Sequence, residues 1–137
     1  MESLELNDLQ VFTLVTNDIR ITVVPEFLPD NSNPSNNIFG YAYHIKVENL
    51  GNKKVQLLDR HWKIYSGNSL FGEVKGPGVV GKQPWINPGE TFNYSSGTET
   101  RDVFGYMEGT YTFQYEDFAK FSVIIPRFQL VYPMAIN

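Results

Sequence analysis

Three groups of residues have types and spacings that can support chemistry. The first is Gly76-Pro77-Gly78-Val79-Val80-Gly81, which spells G-x-G-x-x-G, the pattern with which dinucleotide-binding loops hold a pyrophosphate. That chemistry needs a helix N-terminus directly after the loop, and Val79, Val80 and Pro84 oppose a helix there. A Rossmann site is therefore not expected. A reduced form of the chemistry stays open: successive N–H groups in a glycine-rich turn can cradle an anion, with Lys75 and Lys82 adding positive charge. On that reading Lys75, Gly76, Gly78, Gly81 and Lys82 bind a phosphorylated or pyrophosphate-bearing small molecule. On the other, the glycines supply positive φ angles to a tight loop in which Pro77 has no N–H to offer.

The second group is Arg60-His61-Trp62, with Trp85 further along the chain. Arg and Trp dominate binding hot spots, so Arg60 and Trp85 are candidate partner-binding residues. Alternation puts Trp62 and Ile64 on one face and His61 and Lys63 on the other, which makes Trp62 a core residue. Trp85 lies in a loop, either tucked under it or offered to a partner.

The third group is the titratable set. His44 and His61 are the only histidines, with no third ligand at a recognised spacing, and no calcium-loop or H-x-x-x-H pattern occurs. No metal or other cofactor is expected. Glu116 and Asp117 are adjacent acids whose side chains point to opposite faces of a strand, whereas a carboxylate dyad needs both on one site. There is no G-x-S-x-G elbow and no cysteine nucleophile, so no catalytic residue is assigned and the chain reads as a non-enzyme.

The elements that must position these groups are strands. Aromatic residues make up 15% of the 137-residue chain, mainly 10 Phe and 8 Tyr, types that favour a pleated, half-buried surface. Ile19, Ile21 and Val23 alternate against Arg20 and Thr22, and Phe39, Tyr41, Tyr43, Ile45 and Val47 alternate along a strand over 38–48. Between them, residues 29–37 (PDNSNPSNN) predict an exposed, mobile loop. Two short strands are expected on either side of Asp59 and Arg60, one over 70–75, and others over 91–96, 109–116 and 120–131, the last two joined across Asp117 and Phe118. The connection 76–89 holds four glycines and three prolines, and such a loop is either functional or disordered. The pattern predicts an all-β, immunoglobulin-like or fibronectin type III-like sandwich of roughly 7–8 strands. Tyr111, two residues before Phe113, fits the spacing of the tyrosine corner of such folds. Residues 1–15 form an N-terminal extension that pairs as an extra strand or frays, ahead of a single domain over 16–137.

Composition limits the partners. Eleven Lys and Arg against 15 Asp and Glu leave a formal charge of −4, with no basic cluster longer than Lys53-Lys54, so nucleic acid is not expected. No apolar run approaches the roughly 18 residues of a membrane span. Glu2, Glu5 and Asp8 stand where a secretory signal carries positive charge, which predicts a cytoplasmic protein. Without cysteine the core holds itself, and an unprotected edge strand can pair two copies into a homodimer.

The sequence resembles the ApaG family. The resemblance is carried by Leu57-Leu58-Asp59-Arg60-His61-Trp62-Lys63-Ile64, by Glu73 to Pro84, by Ile86-Asn87-Pro88-Gly89-Glu90 with Tyr94-Ser95-Ser96-Gly97, and by Met107-Glu108-Gly109-Thr110-Tyr111. It implies the same sandwich. It also implies association with cobalt and magnesium tolerance in bacteria and protein recognition by related domains in eukaryotes, with no catalytic residues to carry over. Three functions are thus expected in order: a protein-interaction domain met through the long loop and a sheet edge, a binder of a phosphate-bearing molecule at the glycine loop, and an accessory factor in cobalt or magnesium homeostasis.

Overall fold

The computed structural model describes residues 10–136. Among the described residues nine strands run in the order β1 (Phe12–Thr16), β2 (Ile19–Phe27), β3 (Phe39–Asn49), β4 (Val55–Ser66), β5 (Ser69–Pro77), β6 (Trp85–Ile86), β7 (Thr91–Thr100), β8 (Phe104–Tyr115) and β9 (Lys120–Val131). Every pairing is antiparallel. One sheet has the order β1-β2-β3-β7; the other has β5-β4-β8-β9, with β6 also paired to β4. The two sheets stack as an immunoglobulin-like, fibronectin type III-like sandwich.

Period-two patterning fixes which face is inside. Ile19, Ile21 and Val23 of β2 are buried, as are Tyr41, Tyr43, Ile45 and Val47 of β3, and they meet Leu57, Trp62, Met107, Tyr111, Phe113, Ile125 and Phe128 from the opposite sheet. Trp62 is the hub. Its ring lies 5.4 Å from Tyr43, 5.9 Å from Phe128 and 6.2 Å from Tyr111, the last two edge-on, a geometry that suits the aromatic quadrupole.

Several expectations change. Asp59 and Arg60 do not separate two strands, because a bulge at Leu58 shifts the register between Leu57 and Asp59 and lets β4 run unbroken through them. Residues 29–37 are mostly exposed, but they fold into two 3-10 turns, Pro29–Asn31 and Pro34–Asn36, tied down by Ser32. Its hydroxyl donates to the Leu28 carbonyl and accepts the Gly40 N–H, each at 2.7 Å. Tyr111 is not a corner residue: it lies mid-strand in β8 and points into the sandwich, so its hydroxyl meets Tyr94 of the other sheet rather than nearby backbone. Of the segment 1–15, residues 12–15 pair with β2, Phe12 packs on the core, and residues 1–9 lie outside the described ones.

Candidate functional site

The glycine-rich segment continues the margin of the five-stranded sheet. β5 pairs with β4 as far as Pro77 opposite Asp59, and the chain then turns out and back to rejoin β4 at Trp85 opposite Gln56. Main-chain bonds from Gly78 N–H to Leu58 O (2.6 Å) and from Leu57 N–H to Pro84 O (3.0 Å) fasten both ends of this excursion beside the bulge. Its tip is a two-residue turn in which Val79 and Lys82 exchange N–H···O bonds of 2.8 and 2.9 Å. Val80 (φ 43°) and Gly81 (φ 78°) both occupy the left-handed region, as a hairpin turn of the primed kind requires. For a β-branched valine that conformation is strained.

Each glycine of the motif has a local reason. Gly78 has φ 63°, and a Cβ there would collide with the Lys82 carbonyl oxygen. Gly76 lies under the Arg60 guanidinium, whose Nη1 would be 3.2 Å from an added Cβ, and Gly81 needs only its φ. The N–H groups of Gly78, Val79 and Lys82 are bonded within the protein, which in the turn from Val79 to Lys82 leaves those of Val80 and Gly81 for any anion. Lys75 and Lys82 are exposed on either side.

Arg60 and Trp85 play different parts. Arg60 occupies the same row as Gly76 and Tyr111, and its Nη1 donates to Pro77 O (2.9 Å) and Gly78 O (3.0 Å), so the guanidinium clamps the root of the excursion. Among the described residues it forms no ion pair with a carboxylate. Its charge works against burial, which pushes the hydroxyl pKa values of Tyr43, Tyr94 and Tyr111 up. Trp85 is 40% exposed, with Lys54 Nζ 5.5 Å from its ring centre. Along this one margin Leu70 (52%), Phe71 (47%), Val74 (39%) and Val80 (53%) are exposed as well.

The histidines went to separate places. On the outer face of the four-stranded sheet, His44 Nδ1 lies 2.7 Å from Ser95 Oγ and Nε2 lies 2.9 Å from Glu26 Oε1, beside a shallow depression of about 340 Å³. A serine, an imidazole and a carboxylate in line are the parts of an activated nucleophile. Here, however, Ser95 sits within a regular strand rather than on an exposed elbow, and the His44 and Glu26 side chains are nearly half exposed to water. Sequence reading missed this row because 18 and 51 residues separate His44 from its partners. His61, on the outer face of the other sheet, bonds Glu73 at 2.6 Å and holds that exposed carboxyl below the usual range. No group of three or more His, Cys, Asp or Glu able to hold a metal occurs among the described residues.

Fold and margin together define an immunoglobulin-like sandwich with one long, apolar free edge and a clamped loop. Comparison with known proteins gives the family. The ApaG domain matches residues 29–115. Protein ApaG of Methylocella silvestris is 46% identical over 123 residues, covering 90% of this chain and 95% of its own, and that of Paramagnetospirillum magneticum is 44% identical with the same coverage. The crystal structure of a Bordetella pertussis protein named ApaA superposes with a TM-score of 0.82 at 40% identity, over 85% of this chain and 94% of that one. The chain belongs to the ApaG family. Among its described residues no helix is long and apolar enough to cross a membrane.

Proposed function

We propose that the chain is a non-enzymatic binding module of the cytoplasm whose partner is another protein, docked along the free edge of the five-stranded sheet from Leu70 to Trp85. The observation that carries this reading is the collection of Leu70, Phe71, Val74, Val80 and Trp85, all exposed, on one margin. A free strand edge offers unpaired main-chain groups to an added strand, and apolar side chains beside it supply the burial that makes such pairing hold. Arg60 serves by setting the loop that presents Val80 and Trp85. A role in cobalt or magnesium homeostasis fits better as action on a partner, since no group of three or more metal-ligating side chains occurs among the described residues.

A phosphate-bearing ligand at Lys75, Gly76, Gly78, Gly81 and Lys82 is less well supported, with three of the loop's donors already engaged. Affinity capture from cell extract tests the main reading against it. Val80→Asp with Trp85→Ala is expected to remove the captured protein, while Lys75→Ala with Lys82→Ala leaves it in place. Capture indifferent to the first pair overturns the reading.

A further inference from the structure

Resting on the edge as a docking surface, the residues of β5 also indicate what occupies it. The margins of the sandwich are not alike. β9 lies against β1, with Asn17 Nδ2 donating to the Ser122 carbonyl at 2.9 Å and the Ile124 N–H to Thr16 Oγ1 at 3.3 Å. β7 exposes Thr91, Asn93, Ser95, Gly97 and Glu99, with no large apolar side chain. β5 differs from both: its nine residues carry no proline before Pro77, and Leu70, Phe71 and Val74 stand exposed along it.

Two identical edges meet antiparallel about a two-fold axis normal to the sheet. Each residue must then oppose one that points to the same face, so the axis falls on a residue. Centred on Glu73, the pairing sets two carboxylates against each other, which is unfavourable. Centred on Gly72, it draws into the ladder's middle the stretch at Phe71, where the β4 register already shifts. Centred on Val74, the sequence matches itself. Glu73 lies opposite Lys75 of the second copy and Lys75 opposite its Glu73, glycines 72 and 76 face each other, and two valines meet on the axis. Glu73 keeps Oε2 on His61 and still has lone pairs for a lysine. The ladder is bounded at both ends by the same opposition, Phe71 with its irregular register against Pro77 with no N–H.

We propose that the chain forms a two-fold dimer in which β5 pairs with β5 of a second copy, centred on Val74, so that two five-stranded sheets become one. The occupant of the β5 stretch of the edge is a second copy of this chain, recognised by alternating charge at positions 73 and 75 and by the glycine track beside it, and the loop at Val80 and Trp85 beyond β5 is left to the other protein.

Sedimentation equilibrium and cross-linking test it on the full chain. Glu73→Lys replaces two opposed ion pairs by two like-charge pairs and is expected to weaken association about tenfold; adding Lys75→Glu to the same chain restores it to within about threefold. The chain has no cysteine, so Val74→Cys carries a single thiol and is expected to give a disulfide-linked dimer on mild oxidation, whereas Leu70→Cys is not. Circular dichroism establishes that each variant is folded. A chain monomeric at its highest soluble concentration, a dimer indifferent to Glu73→Lys, or equal cross-linking through Leu70→Cys overturns the proposal. If the dimer is absent while capture of another protein still depends on Val80 and Trp85, only the second copy falls; if capture is indifferent too, the edge reading falls with it.

Discussion

The hydroxyls of Tyr94 and Tyr111 hydrogen-bond to each other across the interior of the sandwich, joining β7 of one sheet to β8 of the other. A buried polar group is tolerated when it has a partner, and each of these is the other's. Burial is the main cause that pushes both pKa values up, so the bond joins two neutral groups.

Removing either hydroxyl therefore strands the other. Tyr111→Phe is expected to cost about 1–3 kcal/mol, and Tyr94→Phe a similar amount. The double variant costs less than the sum, because nothing is left unsatisfied. Urea unfolding with an unchanged slope measures all three; strict additivity would show that the pair is not a unit.

The same burial sets an alkaline limit. Burial raises Tyr41 from an ordinary value of 10.0 to about 12, and Tyr43, Tyr94 and Tyr111 move the same way. A raised folded pKa means that the folded state holds protons the unfolded chain has lost. The contribution is thus complete below pH of about 10 and falls as pH rises toward 12. Melting temperature followed against pH, with tyrosinate absorbance alongside, should show some of the 8 tyrosines ionising early and the buried ones only with unfolding.

Glu73 tests the outer face. Its carboxyl is held below the ordinary 4.5 chiefly by the hydrogen bond from His61, so His61→Gln should return it upward. Side-chain carboxyl NMR titration reads this directly, and an unmoved midpoint would assign the depression to Lys75 and Lys63 instead.

Two glycines of one motif should behave differently. Gly78→Ala meets both a positive φ and the Lys82 carbonyl and is expected to cost more than Gly81→Ala, which meets only the φ penalty of about 1 kcal/mol. With pyrophosphate, the amide signals of Gly78, Val79 and Lys82 should hold still. Movement of all three at once would revive the anion cradle.

Ser95 should be no more reactive than an ordinary surface serine despite its contact with His44. Fluorophosphonate labelling of the wild type and of His44→Ala is expected to be equally slight, and labelling that depends on His44 would make this face a catalytic one.

Much of the fold was legible because alternation is a local property. Every inward residue of the run Tyr41, Tyr43, Ile45 and Val47 is buried as the pattern requires. The failures share a cause as well. A bulge at Leu58 adds one residue without changing composition, so β4 looked like two strands. Tyr111 has the spacing of a corner residue, but its true partner, Tyr94, is fixed by how the two sheets stack. The glycine motif was visible as letters, while its clamp was not, since Arg60 reaches carbonyls 17 and 18 residues away. Which strand lies at an edge is a matter of topology, and no single stretch of sequence encodes it.

The cover that β1 places over β9 has a further consequence. With the β9 margin of the five-stranded sheet covered at Ser122 and Ile124 by the first described strand and its turn, growth from that sheet is favoured on the β5 side. On the proposed two-fold pairing a second copy adds there once, and the product is a capped dimer rather than a fibre. On that proposal β1 acts as a stop on polymerisation, and a chain lacking it is expected to present a second template at β9.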